Sequence, residues 1–81
     1  MKLLQHLGLL SKGQIAIIVG ISPNCNGEIR QRLLDLGFVK GAEISIHNIS
    51  PLNNPIAYSI HDTLISLRKE DAMNVLVEIK E

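Results

Sequence analysis

The side chains best suited to chemistry in this sequence are one cysteine, three histidines and a few arginines. Cys25 lies in the stretch SPNCNG, where proline, asparagine and glycine are typical of a turn, so we interpret it as an ordinary loop thiol. No nucleophile elbow accompanies it, and the chain has no P-loop. We therefore predict that the chain is not an enzyme, has no catalytic residues and holds no cofactor.

Two of the histidines are spaced to form a pair. His47 and His61 fall on strand positions that face away from the predicted core, and they lie opposite each other if the intervening hairpin is centred near Asn54. Their Cβ atoms would then be about 5 Å apart, and two imidazoles could bind a transition metal weakly. The alternative is a pair of exposed polar residues, with a bulge near Asn48 breaking the register. His6 has a weaker claim to such a role.

Arginines and one leucine are candidates for contact with a protein partner. Arg30, Arg32 and Arg68 could bind an acidic surface, because guanidinium groups pair with carboxylates in bidentate fashion. The alternative is local pairing, for example between Arg32 and Glu28 one helical turn away. Leu52 has no assignment to the core, and its place at a loop tip makes it a candidate docking contact.

Hydrophobic periodicity identifies the elements that would position these residues. Alternation over residues 13–21 predicts a first strand, whose apolar face comprises Ile15, Ile17, Val19 and Ile21. The period then changes to that of a helix beginning near Glu28, with Ile29, Leu33 and Leu36 on one face. Either Asn24 or Asn26 can cap its first turn.

The stretch LLDLGFVKGAEISI joins this helix to the next strand. Gly37 at the C′ position predicts a Schellman ending, in which Phe38 folds back on Leu33. Gly41 occupies the position of a type II turn that requires a positive φ, and it begins the second strand. The two glycines are thus predicted to end a helix and to begin a strand.

Three more strands follow, near residues 56–61, 64–68 and 75–79, with a single helical turn over 69–74. We predict a mainly β protein, a small SH3-like, partly closed barrel of five strands with one short helix inserted between strands 1 and 2 and one helical turn before the last strand. Phe38 and Tyr58 are the only phenylalanine and tyrosine, and tryptophan is absent, so the core should be aliphatic.

Composition excludes several classes of function. The 81 residues form one domain, and eight basic residues balance eight acidic ones, which argues against nucleic acid as a partner. With a single cysteine and without a signal peptide or an apolar run of about 20 residues, we expect a cytoplasmic protein with no membrane insertion. We expect it to be a monomer.

The stretches IRQRLLDLGFVKGAEISI, SPLNNPIAYSI and ISLRKEDAMNVLVEI, in this order, resemble the FeoA family, ferrous iron transport protein A. The resemblance covers roughly residues 7–80. Its most specific motifs are Arg32-Leu33, Leu36-Gly37, Lys40-Gly41, Asn54-Pro55 and Leu67-Arg68. The chain has Gln31 where many relatives carry a basic residue and Lys40 where the family usually has proline.

This resemblance implies a non-enzymatic accessory module of bacterial ferrous iron uptake that docks on the cytoplasmic GTPase part of the FeoB transporter. A second reading is a small metal-sensing domain, similar to the carboxyl-terminal domain of iron-dependent repressors. A third is a barrel that binds proline-rich peptides, but such grooves are lined by aromatic residues that this chain lacks.

Overall fold

One antiparallel sheet accounts for most of the computed structural model, which describes residues 4–52 and 54–80. The strands are β1 (Leu4–His6), β2 (Ile15–Ile21), β3 (Glu43–Ile49), β4 (Ile56–Ile60), β5 (Thr63–Leu67) and β6 (Val75–Lys80). Helix α1 (Gly27–Asp35) connects β2 to β3, and the short helix α2 (Lys69–Ala72) precedes β6. The strand order is β1-β6-β2-β3-β4-β5, so β1 and β5 are the two edges of the sheet. The mainly β fold class is confirmed.

The predicted count of five strands is wrong by one, because the segment before the first predicted strand joins the sheet. Gln5 on β1 pairs with Val77 on β6, and the His6 Nδ1 atom lies 2.8 Å from the carbonyl oxygen of Met73. A three-residue strand is too short to show an alternating pattern, so only its long-range pairing identifies it. A 3-10 helix over Leu7–Leu9 leads from this strand toward β2.

The predicted core face of β2 is also wrong. Ala16 and Ile18 are fully buried, whereas Ile15 is 44% exposed. Both parities of this strand are apolar, so alternation alone does not distinguish its faces. A register shift against β6 between Ile18 and Gly20 then returns Ile21 to the buried side, as a β-bulge does.

Both ends of α1 agree with the local sequence. Asn26 is the cap, since its Oδ1 accepts a hydrogen bond of 2.8 Å from the backbone N–H of Glu28. At the other end Phe38 N–H donates to Leu33 O and Gly37 N–H donates to the carbonyl of Leu34, the two bonds of a Schellman motif. The predicted helix ending is therefore confirmed, with Gly37 at a φ of 105°.

The second glycine also has its predicted role. Gly41 has a φ of 93°, and Ala42 N–H donates to Val39 O across the turn. The chain then enters β3, which pairs with β4, while β4 pairs with β5 through a two-residue connection. The core between these elements is aliphatic apart from Phe38 and Tyr58, both fully buried.

Candidate partner-binding site

A cleft of about 300 Å³ lies between α1 and the corner where β5 leads into α2. The helical segment contributes Arg32 and Leu36 to its walls, and the opposite wall is formed by Ser66, Leu67, Arg68 and Asp71. The fold thus brings together Arg32 and Arg68, two of the three arginines that were predicted to contact a protein partner. No local pattern in the sequence indicates this grouping, because its two halves are at least 30 positions apart along the chain.

Two side chains of helix α1, Leu33 and Arg30, hold it in this position. Leu33 is fully buried in the core. Arg30 Nη2 lies 3.3 Å from the carbonyl oxygens of both Ile21 and Ser22 and donates to them. Its guanidinium therefore ties the helix to the end of β2, and Arg30 is not among the residues that line the cleft. The ring of His61 lies beside Gly37 at the other end of the helix.

Arg32 connects the two helices. Its Nη2 lies 2.9 Å from Asp71 Oδ2, and the two side chains are 60% and 16% exposed. Within the described part of the chain Arg32 thus pairs with Asp71 and not with Glu28, the local partner that the alternative interpretation gave it. The Asp71 carboxylate on α2 is 39 residues from Arg32 in sequence, so it comes within reach only when the barrel forms.

Arg68 is the more available of the two cations in the cleft. Its side chain is 74% exposed, and its Nη1 atom is 3.8 Å from Glu70 Oε1. That distance allows an ion pair but is too long for a hydrogen bond. A solvent-exposed pair of this kind contributes little to stability, so the guanidinium can exchange this contact for another carboxylate.

Leu52 and Leu36 are both exposed, but only one of them belongs to the cleft. Leu52 is 86% exposed in the loop between β3 and β4 and does not line the cleft. Leu36, predicted to share one helical face with Leu33, is 39% exposed and lines the cleft wall. Its position at the C-cap explains the difference, because the helical periodicity ends there.

The two histidines predicted to face each other do not do so. Ile46 pairs with Tyr58 and Asn48 pairs with Ala57, so His47 falls at a bulge in β3. His61 has a φ of 51° in the connection from β4 to β5, outside the ladder. The register of the hairpin therefore differs from the predicted one, which was centred near Asn54. Within residues 4–52 and 54–80, no group of three or more histidine, cysteine or acidic side chains is arranged to hold a metal ion.

Cys25 lies in the loop between β2 and α1. The Cys25 thiol is half-buried, and its Sγ donates to the carbonyl oxygen of Asn26 at 3.4 Å.

No helix in the described part of the chain is both long enough and apolar enough to cross a membrane.

Comparison with known proteins gives a consistent result. Residues 5–79 match the family model of the FeoA domain. The chain is 40% identical over 74 residues to an Fe(2+) transport protein A/Fe(2+) transporter FeoB fusion protein of Porphyromonas gingivalis. The match covers 91% of this chain, but the chain spans only 8% of the fusion protein's length.

Solved structures support the same grouping. An FeoA-like protein from Clostridium acetobutylicum aligns with a TM-score of 0.87 and 31% identity, over 100% of this chain and 92% of that one. The FeoA of Stenotrophomonas maltophilia, solved with zinc and described as an SH3 domain protein, aligns with a TM-score of 0.75 and 29% identity, over 95% and 88% of the two chains. The predicted SH3-like architecture is thereby confirmed.

Proposed function

Since the chain belongs to the FeoA family, we propose that it is a non-enzymatic accessory module of bacterial ferrous iron uptake. It docks on the cytoplasmic GTPase part of an FeoB-type transporter and modulates uptake or nucleotide turnover there. The family is associated with ferrous iron transport, as the names of the matching proteins state. The module itself lies in the cytoplasm, where it can reach that part of the transporter.

The fusion protein of Porphyromonas gingivalis is the observation that carries this proposal. In that relative a segment similar to this chain and a ferrous iron transporter are parts of one polypeptide. Covalent linkage raises the effective concentration of one module at another, which favours an interaction that also occurs between separate chains. The segment of the fusion protein that this chain matches is 8% of that protein's length, and the proposal assigns to this segment contact with the transporter and not transport itself.

A direct binding measurement tests the docking. The purified chain is titrated into the cytoplasmic GTPase domain of the FeoB-type transporter from the same organism, in nucleotide-free, GDP-bound and GTP-analogue-bound states. We expect saturable one-to-one binding in at least one state. The control is a chain of the same composition in scrambled order. Absence of binding in all three states would contradict the proposal.

Transition-metal binding is the second candidate function, and the zinc in the Stenotrophomonas maltophilia structure favours it. His47 and His61 lie apart in this chain, so each would have to bind a metal ion with other donors. Titration with Zn(II) or Fe(II), monitored through the NMR shifts of the histidines, tests metal binding by these side chains. Histidine signals unmoved at millimolar metal would exclude these side chains as ligands.

A further inference from the structure

Strand β5 is an edge of the sheet that lacks the usual protection against pairing with another strand. Its sequence over Thr63–Leu67, TLISL, contains neither a charged residue nor a proline, and its register against β4 runs without a shift. Edge strands are normally protected by charged side chains, prolines, bulges or short length. The opposite edge has such protection, because β1 has only 3 residues. The uncharged edge at β5 is therefore a place where a further strand can add.

The main-chain groups of β5 that point away from β4 belong to two residues. Ile60 pairs with Thr63 across a two-residue connection whose residues both have positive φ, as in a type I′ hairpin. Such a hairpin closes on a hydrogen-bonded pair, and the residues that follow alternate in direction. Leu64 and Ser66 thus present their N–H and C=O groups at the open edge. No main-chain hydrogen bond outside the ladder reaches either residue from the described part of the chain.

An antiparallel copy of the same strand satisfies these groups when the two-fold axis passes beside Ile65. Leu64 of each copy then lies opposite Ser66 of the other, and the two Ile65 residues lie opposite each other. Both Leu64–Ser66 pairs are of the hydrogen-bonded kind, in which the two residues exchange both of their N–H···O bonds. A shift of the register by two residues would leave only one such pair within the strands. The strand is therefore self-complementary in one register.

The same register brings opposite charges together beyond the ends of the strand, because Asp62 of each copy lies opposite Arg68 of the other. Asp62 is exposed and has no ion pair within the described residues. Arg68 has an extended backbone, and its Nη1 atom is 3.8 Å from Glu70, too far for a hydrogen bond. Residues 62–70 contain two acidic and two basic side chains, so the antiparallel arrangement and not a net charge makes the two copies complementary.

Two exposed leucines lose contact with water in this arrangement. Leu64 is 57% exposed and Leu36 is 39% exposed. Leu36 lines the same cleft as Ser66, and the other copy's Leu64 lies opposite Ser66, so this leucine side chain reaches the cleft. The two Leu64 side chains are also diagonal neighbours across the axis, a distance that long side chains can span. Removal of this apolar surface from water favours the association.

We propose that β5 is the edge through which two copies of this chain associate, with their sheets joined antiparallel about a two-fold axis at Ile65. The occupant of the edge is a second copy, because main-chain pairing, charge and apolar surface are all complementary in the same register. Such a contact is isologous and closed, so it produces dimers and not fibres. The inference goes beyond the proposed function and does not depend on it. It replaces the monomer that was expected from the sequence.

Sedimentation equilibrium from micromolar to millimolar concentration tests this dimer. The parent chain should show a reversible equilibrium between monomer and dimer. Ser66→Pro removes an N–H that points to the open edge and leaves the ladder with β4 intact, as proline does on edge strands. It should weaken association by at least about tenfold, because each copy loses a donor. The matched control is Ser66→Ala, which keeps the N–H and should associate as the parent does.

Charge reversal tests the register. Asp62→Lys and Arg68→Glu each place like charges opposite each other at both ends of the interface, so each variant alone should associate about fivefold more weakly or worse. A mixture of the two variants should form a heterodimer, because opposite charges then face each other again at both ends. Lys12→Glu changes an exposed charge away from this edge and should have no effect. Every variant should retain the dispersed amide spectrum of the parent.

Three results would overturn the proposal. One is a parent chain that remains monomeric at millimolar concentration. Another is a dimer that Ser66→Pro leaves intact, since the contact would then lie elsewhere on the molecule. The third is a monomeric parent whose binding to the transporter's GTPase domain is weakened by Ser66→Pro, because the edge would then take a strand of the transporter and not a second copy.

Discussion

Tyr58 is a polar residue in an otherwise apolar environment. It is fully buried, and its hydroxyl has no hydrogen-bond partner among the described residues. Burial raises the pKa of Tyr58 to about 12, from the ordinary value of 10.0, because the phenolate would lose its hydration. A buried hydroxyl without a partner reduces stability, so the ring contributes to the core through its apolar surface alone.

Replacement of this hydroxyl should not destabilise the protein. Tyr58→Phe keeps the ring and removes the unpaired group, and we expect the free energy of unfolding at neutral pH to rise by about 1 kcal/mol. Urea denaturation, monitored by circular dichroism, measures this free energy. An unchanged m-value would indicate that the variant has the same native state as the parent. A decrease in stability would instead show that the hydroxyl has a partner, such as a buried water.

The same residue predicts how stability depends on alkaline pH. Above pH 10.0 the unfolded chain loses the tyrosine proton while the folded chain keeps it until about pH 12, so stability falls across this window. The loss should be on the order of 2 kcal/mol. Unfolding measured at several pH values in this window, for the parent and for Tyr58→Phe, isolates the contribution. Parallel curves for the two proteins would contradict the assignment.

Gly37 has both a conformational and a steric reason to be glycine. Its φ is 105°, and a Cβ atom there would lie 3.3 Å from His61 Cδ2. Gly37→Ala should therefore cost on the order of 1 kcal/mol or more. Gly27→Ala, in the first turn of α1 with nothing within 4 Å of the added Cβ, is the control and should be neutral or slightly stabilising. Thermal unfolding of both variants compares them directly.

At the scale of elements, α1 shows how far local sequence predicts structure. Its Schellman ending and a cap by Asn24 or Asn26 follow from residues within a few positions of each other, and the structure confirms the ending and selects Asn26. Its predicted apolar face is confirmed only in part, because Leu33 is fully buried while Leu36 is 39% exposed. Its attachment to the barrel does not follow in this way. The bond from Arg30 to the end of β2 and the ion pair with Asp71 join segments that meet only in the folded chain.

The cap of α1 can be tested by comparing two asparagines that sequence alone does not separate. Asn26→Ala should reduce the free energy of unfolding by about 1 kcal/mol, because the N–H of Glu28 then loses its acceptor. Asn24→Ala changes a neighbouring exposed residue whose side chain does not cap the helix, and it should have a smaller effect. Equal losses from the two substitutions would contradict the assignment of the cap.

At the scale of the whole molecule, stability should be uneven. Within the described residues, α1 buries only Leu33 fully, whereas β2 and β6 pair along most of their length and place Ile18 and Val77 in the centre of the core. An element with few buried apolar contacts opens at a lower free energy than the rest of the protein.

Native-state hydrogen exchange tests this distribution. The amide of Leu33 should exchange through openings of lower free energy than those of Ile18 and Val77. The physical reason is that α1 can separate from the barrel while the sheet remains paired. Equal protection at the three positions would show that the helix and the sheet open only together.

The sequence by itself determined the features that depend on neighbouring residues. The positive φ values required at Gly37 and Gly41, the end of α1, the aliphatic core and the family could all be predicted, and the start of α1 could be narrowed to two asparagines. These features depend on composition, or on backbone geometry and hydrogen bonds that span only a few positions. They can therefore be predicted without knowledge of which strands pair.

Only the tertiary structure decided the buried face of β2, the sixth strand, the separation of His47 from His61, and the cleft. Each depends on strand register or on contact between distant segments. A shift of one residue turns a strand's side chains to the other face, and a single bulge is enough to produce it. Arg32 and Arg68 therefore become one site only when α1 packs against the corner of β5 and α2, which no local pattern in the chain encodes.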